Sequence, residues 1–223
     1  MTFGISDLPE IFSDVEPIPQ DDGPDPVCAI AYTQSFITAH DYMRAVFQSG
    51  EMSGRYIHKK NESVIGCCVE GTNQQISQKW LNFIVFHSER TLRLSALCLE
   101  KNSANYTVWH YRRQCIEALG KDQDEAFIRG DLQFAARMGG ANPKSYQLWY
   151  HRQALLEKIS IENFGTSELE YIAEVLEADS KNYHAWSLRQ WVVLQLSKNS
   201  EDAWQKELDF GELWFRSELQ QCT

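Results

Sequence analysis

"NYTVWHYRR" (Asn105–Arg113), "SYQLWYHRQ" (Ser145–Gln153) and "NYHAWSLRQ" (Asn182–Gln190) place Tyr, Trp and Arg at the same offsets three times in one chain. Trp109 and Trp149 are 40 positions apart (149 − 109), and Trp149 and Trp186 are 37 apart (186 − 149). Periods of this size belong to stacked α-hairpins, in which each unit buries its apolar face only against a neighbour. Within each stretch Tyr, Trp and Arg lie three apart, so the reading puts all three on one helical face. On that reading Trp109, Trp149 and Trp186 fill the gaps between hairpins, and Arg112, Arg152 and Arg189 reach a carboxylate or carbonyl of the next one. Aromatic residues at helical spacing are usually core, so these six residues speak for the fold: an all-α solenoid of repeated hairpins.

Outward from the repeats the same alternation continues. Asn105 suits an N-cap, because its side chain can accept from the orphan amides of a first turn. Helical stripes are expected over Phe127–Met138, Tyr146–Ile159, Leu169–Leu176 and Tyr183–Leu196, with "GGANPKS", Asn163–Ser167 and "EADSKN" as the breaks. Earlier in the chain, Phe36, Ala39, His40, Met43, Val46 and Phe47 recur at three- and four-residue steps, the mark of an amphipathic helix. Leu92, Ala96 and Leu99 resume it from Glu89. Residues 1–31 read as an acidic, proline-rich arm holding five of the six prolines, and proline continues neither helix nor central strand. Residues 55–87 sustain no 3.6-residue period and look foreign to their flanks. The repeat region therefore reads as 32–200 with an insert at 55–87, followed by a divergent tail at 201–223.

Charge and composition narrow the function. A net charge of −10 disfavours nucleic acid and anionic membrane surfaces, since both demand clustered Lys and Arg. The longest apolar stretch, "WLNFIVF" (Trp80–Phe86), is far too short to span a bilayer. The six cysteines offer no second pair beside Cys67 and Cys68 with which to build a zinc site. Reduced structural thiols and a cytoplasmic protein are expected, and no secretory leader is read at the N-terminus.

"NYTVWHYRR", "NPKSYQLWYHRQ" and "KNYHAWSLRQW" resemble the repeats of protein prenyltransferase α subunits. The stretch "PIPQDDGPDPV" resembles the arm that precedes them in the branch serving farnesyltransferase and type I geranylgeranyltransferase. The resemblance implies a right-handed, TPR-like superhelix forming a crescent around a β subunit. It also implies that this partner carries the catalytic Zn2+, with Mg2+ assisting farnesyl transfer and no cofactor on the present chain. The substrates implied are farnesyl or geranylgeranyl diphosphate and proteins ending in a CaaX cysteine. Carried over residue by residue, Lys144 reaches the diphosphate, Tyr146 lies beside isoprenoid and diphosphate, and Gln147 receives the peptide's C-terminal carboxylate. Tyr183 and His184 flank the diphosphate, Asn182 belongs to the same substrate-binding block, and Tyr106 lines the peptide end of the cleft. Ser145 stands where the family has asparagine and is expected to cap in its place.

The chain departs from that pattern twice. About 34 residues separate Ser53 from the helix that should follow it, a retained intron on the simplest reading and an added surface loop on the other. After about Ser200 the repeat pattern fades, as in a truncated product. Two further readings stand beside the CaaX enzyme: the α subunit of the type II enzyme that modifies Rab proteins, and a helical-repeat interaction module with no catalytic duty.

Overall fold

The computed structural model describes residues 4–25, 30–49, 89–198 and 202–221. The expected insert at 55–87 lies outside them, as do Cys28, Cys67, Cys68 and Cys222. Every regular element among the described residues is helical: α1 (Leu8–Ile11), α2 (Gln34–Ser49), α3 over 89–101, α4 (Tyr106–Ala118), α5 (Glu125–Ala141), α6 (Tyr146–Leu156), α7 (Gly165–Ala178), α8 (Tyr183–Ser197) and α9 (Asp202–Gln221). The chain gathers into two compact units, Met1–Phe134 and Ala135–Thr223.

One four-residue turn is built three times, at 102–105, 142–145 and 179–182. In each, the last residue's amide donates to the carbonyl three back: Asn105 to Asn102 (3.2 Å), Ser145 to Asn142 (3.2 Å) and Asn182 to Asp179 (3.0 Å). The tryptophan of the following helix then reaches back over its own first turn. Its indole N–H donates to the carbonyl of Ser103 (2.8 Å), Pro143 (2.7 Å) or Ser180 (2.9 Å). Trp thus supplies apolar bulk and donates to a turn carbonyl, the two tasks its amphipathic ring allows. Asn105 and Asn182 cap α4 and α8 by accepting from the amides two and three residues on. Ser145 does not cap α6: its hydroxyl, on a shorter side chain, donates to Gln147 Oε1 at 3.1 Å instead.

In the first unit the core joins Leu8 and Phe12 of the arm to Ala39, Met43 and Val46 of α2 and to Leu94, Cys98 and Leu99 of α3, all nearly free of solvent. The arm therefore begins with a packed helical turn, since Leu8 and Phe12 are large enough to be drawn into the core, rather than with extended chain throughout. Arg90 holds it there, donating to the Ile11 carbonyl (2.9 Å) and to Asp14 (2.6 and 3.1 Å) while its guanidinium lies over Phe12. Cys98 is a free, buried thiol that donates to the Ala39 carbonyl, and burial pushes its pKa up to about 12.

Glycine sets two helix boundaries that the sequence pattern misjudges. Helix α5 runs through Gly139 and Gly140, where a turn was expected, and α7 begins at Gly165, inside the expected loop. A Cβ on Gly139 would lie 2.8 Å from Leu148 and 3.0 Å from the Tyr171 hydroxyl, and one on Gly165 would lie 2.8 Å from Leu196. These glycines serve close helix packing, which outweighs their weak helix propensity.

The repeated arginine makes the same join three times. Arg112 pairs with Asp131, Arg152 with Glu168 (2.7 and 2.7 Å) and Arg189 with Glu207 (2.8 and 2.7 Å), 19, 16 and 18 residues further on. In every case the guanidinium also lies over the ring three residues beyond the carboxylate: Phe134 at 4.4 Å, Tyr171 at 3.8 Å and Phe210 at 3.4 Å. Arg112 and Arg189 additionally donate to carbonyls 20 residues upstream, Leu92 (3.0 Å) and Leu169 (3.3 Å). The planar fork thus ties a hairpin's first helix to the first helix of the next, a task for which lysine lacks the donors. Trp109, Trp149 and Trp186 face the same rings, with centroids 6.1, 6.1 and 6.3 Å away. The tyrosines leave this face: Tyr106, Tyr146 and Tyr183 are 71%, 60% and 75% exposed. Each three-residue step retreats about 60° around a helix of 3.6 residues per turn, so the tyrosine ends well round from its arginine.

Candidate functional site

The second unit brings the first turns of α6 and α8 together. Asn182, 2% exposed, is the bracket: its carbonyl oxygen caps α8 through the amides of His184 (3.1 Å) and Ala185 (3.2 Å), while its Nδ2 donates to the Pro143 carbonyl at 3.1 Å. That carbonyl already accepts from the Trp149 indole. Lys144 follows directly and carries its ammonium to Asp179, 3.1 Å away, in the turn before α8. The Lys144 side chain is 73% exposed and that of Asp179 30%. Lys144 donating to Asp179, helped by the Lys181 amide, holds this carboxyl below the usual carboxylate range.

Three exposed tyrosines and the half-buried His184 form a ridge of rings on the same turns. Tyr146 stacks along Tyr150 at 6.0 Å and meets His184 edge-on at 6.0 Å, and His184 in turn meets Tyr183 at 5.6 Å. Gln147 is half-buried at the foot of the ridge, its oxygen engaged by Ser145, which leaves its NH2 as the outward donor. Lys144, Tyr146, Gln147, Asn182, Tyr183 and His184 thus occupy one patch. Tyr106 opens α4 in the other unit, exposed in the same way.

Two members of the patch escaped the motif reading. Tyr150 falls between the repeated Trp and Arg, where nothing marks it. Asp179 did carry a signal, since an Asn or Asp stands three residues before the cap in all three turns, at 102, 142 and 179. Among the described residues no group of three or more His, Cys, Asp or Glu side chains stands close enough to hold a metal ion, and no helix is long and apolar enough to cross a membrane.

The family model "Protein prenyltransferase alpha subunit repeat" matches residues 88–119, 128–159 and 166–196, the spans of the three hairpins. Over those residues the chain is similar to prenyltransferase α-subunit repeats. Among curated proteins it is similar to the protein farnesyltransferase/geranylgeranyltransferase type-1 subunit alpha of Solanum lycopersicum, with 37% identity over 60% of this chain and 27% of that one. The Arabidopsis thaliana protein of the same name is 38% identical over 57% of this chain and 27% of that one. Geranylgeranyl transferase type-2 subunit alpha of Rattus norvegicus is 34% identical over 34% and 14%. The chain thus spans about a quarter of the length of the type-1 relatives. Among solved structures, Candida albicans protein geranylgeranyltransferase-I complexed with GGPP aligns with a TM-score of 0.62 and 20% identity, covering 93% of this chain and 56% of that one. That likeness establishes a shared fold, a solenoid of helical hairpins.

Proposed function

We propose that these repeats serve as the α subunit of a heterodimeric CaaX prenyltransferase, which moves a farnesyl or geranylgeranyl group from its diphosphate to a protein's C-terminal cysteine. The observation that carries this reading is the patch itself: an ammonium, an imidazole, two phenols and an amide donor at two adjacent helix N-termini, the ends of helices that favour anions. The similarity to type-1 subunits over more than half the chain supports it, whereas the type II similarity is limited to 80 residues.

Lys144 is the group that meets the diphosphate on this reading. As the isoprenyl–oxygen bond breaks, negative charge accumulates on the departing diphosphate, and a cation held against it stabilises the transition state more than the ground state. The Asp179 carboxylate is the resting partner of Lys144 and yields it to the incoming phosphate. His184, Tyr183 and Tyr146 donate or pack alongside, and the Gln147 NH2 donates to the peptide carboxylate. Tyr106 lines the peptide end. The partner β subunit would hold Zn2+, which would lower the pKa of the substrate cysteine so that it attacks as a thiolate, and Mg2+ would assist farnesyl transfer. The setting is cytoplasmic.

Co-expression with a β subunit, followed by single-turnover kinetics, tests the proposal. Lys144→Ala slows the chemical step about 10- to 100-fold, the weight of a charge-assisted contact of about 1.5 to 3 kcal/mol, with melting and β-subunit binding unchanged. His184→Ala acts in the same direction but less strongly. Gln147→Ala raises the KM for peptide and leaves isoprenoid affinity alone. Wild-type chemistry in Lys144→Ala would assign the diphosphate entirely to the partner.

A further inference from the structure

The three arginine joins share a carboxylate and a ring, but they differ in the residue four positions before the carboxylate. It is Phe127 before Asp131, Phe164 before Glu168 and Ala203 before Glu207. Phe164 is 1% exposed, so the second join buries a whole benzyl group at this position. The third join has only a methyl there, and beside it stands a partly open cavity of about 200 Å³. The cavity lies between the opening turns of α7 and α9 and the C-terminal half of α8, entirely within the second unit.

Its depth is apolar and its mouth is cationic. Val193, 2% exposed, lies deepest, with Leu169, Leu196 and Ala203 half-buried around it. The lining also holds three charges, Arg189, Glu207 and Lys206. Arg189 donates to both oxygens of Glu207, at 2.8 and 2.7 Å, so these two neutralise each other. Lys206 is exposed and is left as one positive charge with no counter-ion in the lining.

Size and charge together define what fits. A dry cavity of about 150 Å³ lined by aliphatic side chains takes up benzene, so about 200 Å³ accommodates an aromatic ring with a short substituent. The uncompensated ammonium favours an anion as that substituent. A bare inorganic anion fits poorly, because it would shed water against Val193 and Leu169 with a single exposed ammonium to offset the loss.

We propose that this cavity binds a small aromatic monocarboxylate, whose ring takes beside Ala203 the place that the Phe164 side chain takes one join earlier and whose carboxylate meets Lys206 at the mouth. The site shares no residue with the patch around Lys144 and His184, so it stands apart from the prenyltransferase reading.

The test uses the full chain, with phenylacetate as probe and 2-phenylethanol as its neutral counterpart, followed by amide NMR shifts. Phenylacetate shifts the amides of 193–196 and 203–207 saturably, and it binds about fivefold or more tighter than the alcohol, the weight of one charge-assisted contact at an exposed group. Lys206→Met removes that preference and leaves the alcohol bound as before; because Lys206 is exposed, this variant keeps the fold. Ala203→Phe supplies the missing ring from within, so Tm holds or rises and both probes lose saturable binding. Three results would overturn the proposal: no saturable shifts with phenylacetate, unchanged binding in a folded Ala203→Phe, or a preference for the carboxylate that survives Lys206→Met. If Ala203→Phe does not fold, the wild-type titration and Lys206→Met decide alone.

Discussion

Arg152–Glu168 and Lys144–Asp179 lie in one unit, and both join a cation to a carboxylate within 3.1 Å, yet they belong to different regimes. The first pair is 3% exposed on both sides, bidentate and backed by the Tyr171 ring. The second is single-pointed, with the lysine 73% exposed. A buried pair cannot exchange partners without stranding a charge in a low-dielectric interior, so it belongs to the architecture. An exposed pair is worth little and is screened, so it stands ready for another anion. Depth, more than residue type, separates the groups that hold the hairpins together from those available to a substrate.

The largest effect expected from this contrast is at the buried end. Glu168→Ala strands the Arg152 guanidinium and costs about 3 to 5 kcal/mol in urea unfolding. Glu207→Ala costs less, about 1 to 3 kcal/mol, because the Glu207 side chain is 23% exposed and Arg189 keeps the Leu169 carbonyl. Equal losses at the two sites would show that depth does not rank them.

His40 extends the contrast to a buried group with no ion partner. Its Nδ1 faces the Phe36 carbonyl at 3.0 Å, its Nε2 meets no hydrogen-bond partner among the described residues, and burial lowers its pKa, with Arg44 acting in the same direction. Protonation therefore favours the unfolded chain. This contribution is fully present above about pH 6.5, the ordinary histidine value, and is lost as pH falls through the lowered one. The urea midpoint falls between pH 7.5 and 5, and His40→Gln makes that fall shallower; an unchanged slope would mean that the imidazole is not the group titrating.

The smallest effect is at the exposed pair. Lys144→Ala leaves the melting temperature as it was but moves the Asp179 titration, followed by carboxyl carbon NMR, up toward the ordinary carboxylate range. The depressed pKa contributes above that range and is lost as acid titrates Asp179 through its lowered value. A substantial loss of stability in Lys144→Ala would return this pair to the architecture.

Much of this was legible in sequence, because second helices announce themselves. Trp must sit six residues after its turn carbonyl, and Arg three after Trp, so both recur at fixed offsets. First helices bear no such mark. Their carboxylates follow the arginines at 19, 16 and 18 residues, because arginine and acid sit at different depths in helices of different length as well as across different turns, and each is one acid among many. For that reason α9 read as a divergent tail, although Glu207 and Phe210 meet Arg189 as Asp131 and Phe134 meet Arg112. The candidate patch was legible only through the family resemblance. Lys144 and His184 are ordinary residues until the Asn182 bracket brings their turns together, and that contact crosses 39 positions.

The arginine join also bears on how such a chain can change length by gene duplication or deletion. The stretch from Trp149 to Tyr171 contains an arginine, its carboxylate and both of the rings that share the contact, but it begins in one hairpin and ends in the next. A crossover between equivalent turns would move whole hairpins and leave each moved arginine facing a new first helix, and the exchange survives only where that helix offers an acid with an aromatic residue three positions on. Asp131 with Phe134, Glu168 with Tyr171 and Glu207 with Phe210 all meet this condition, so each join offers an arriving arginine the same acid and ring.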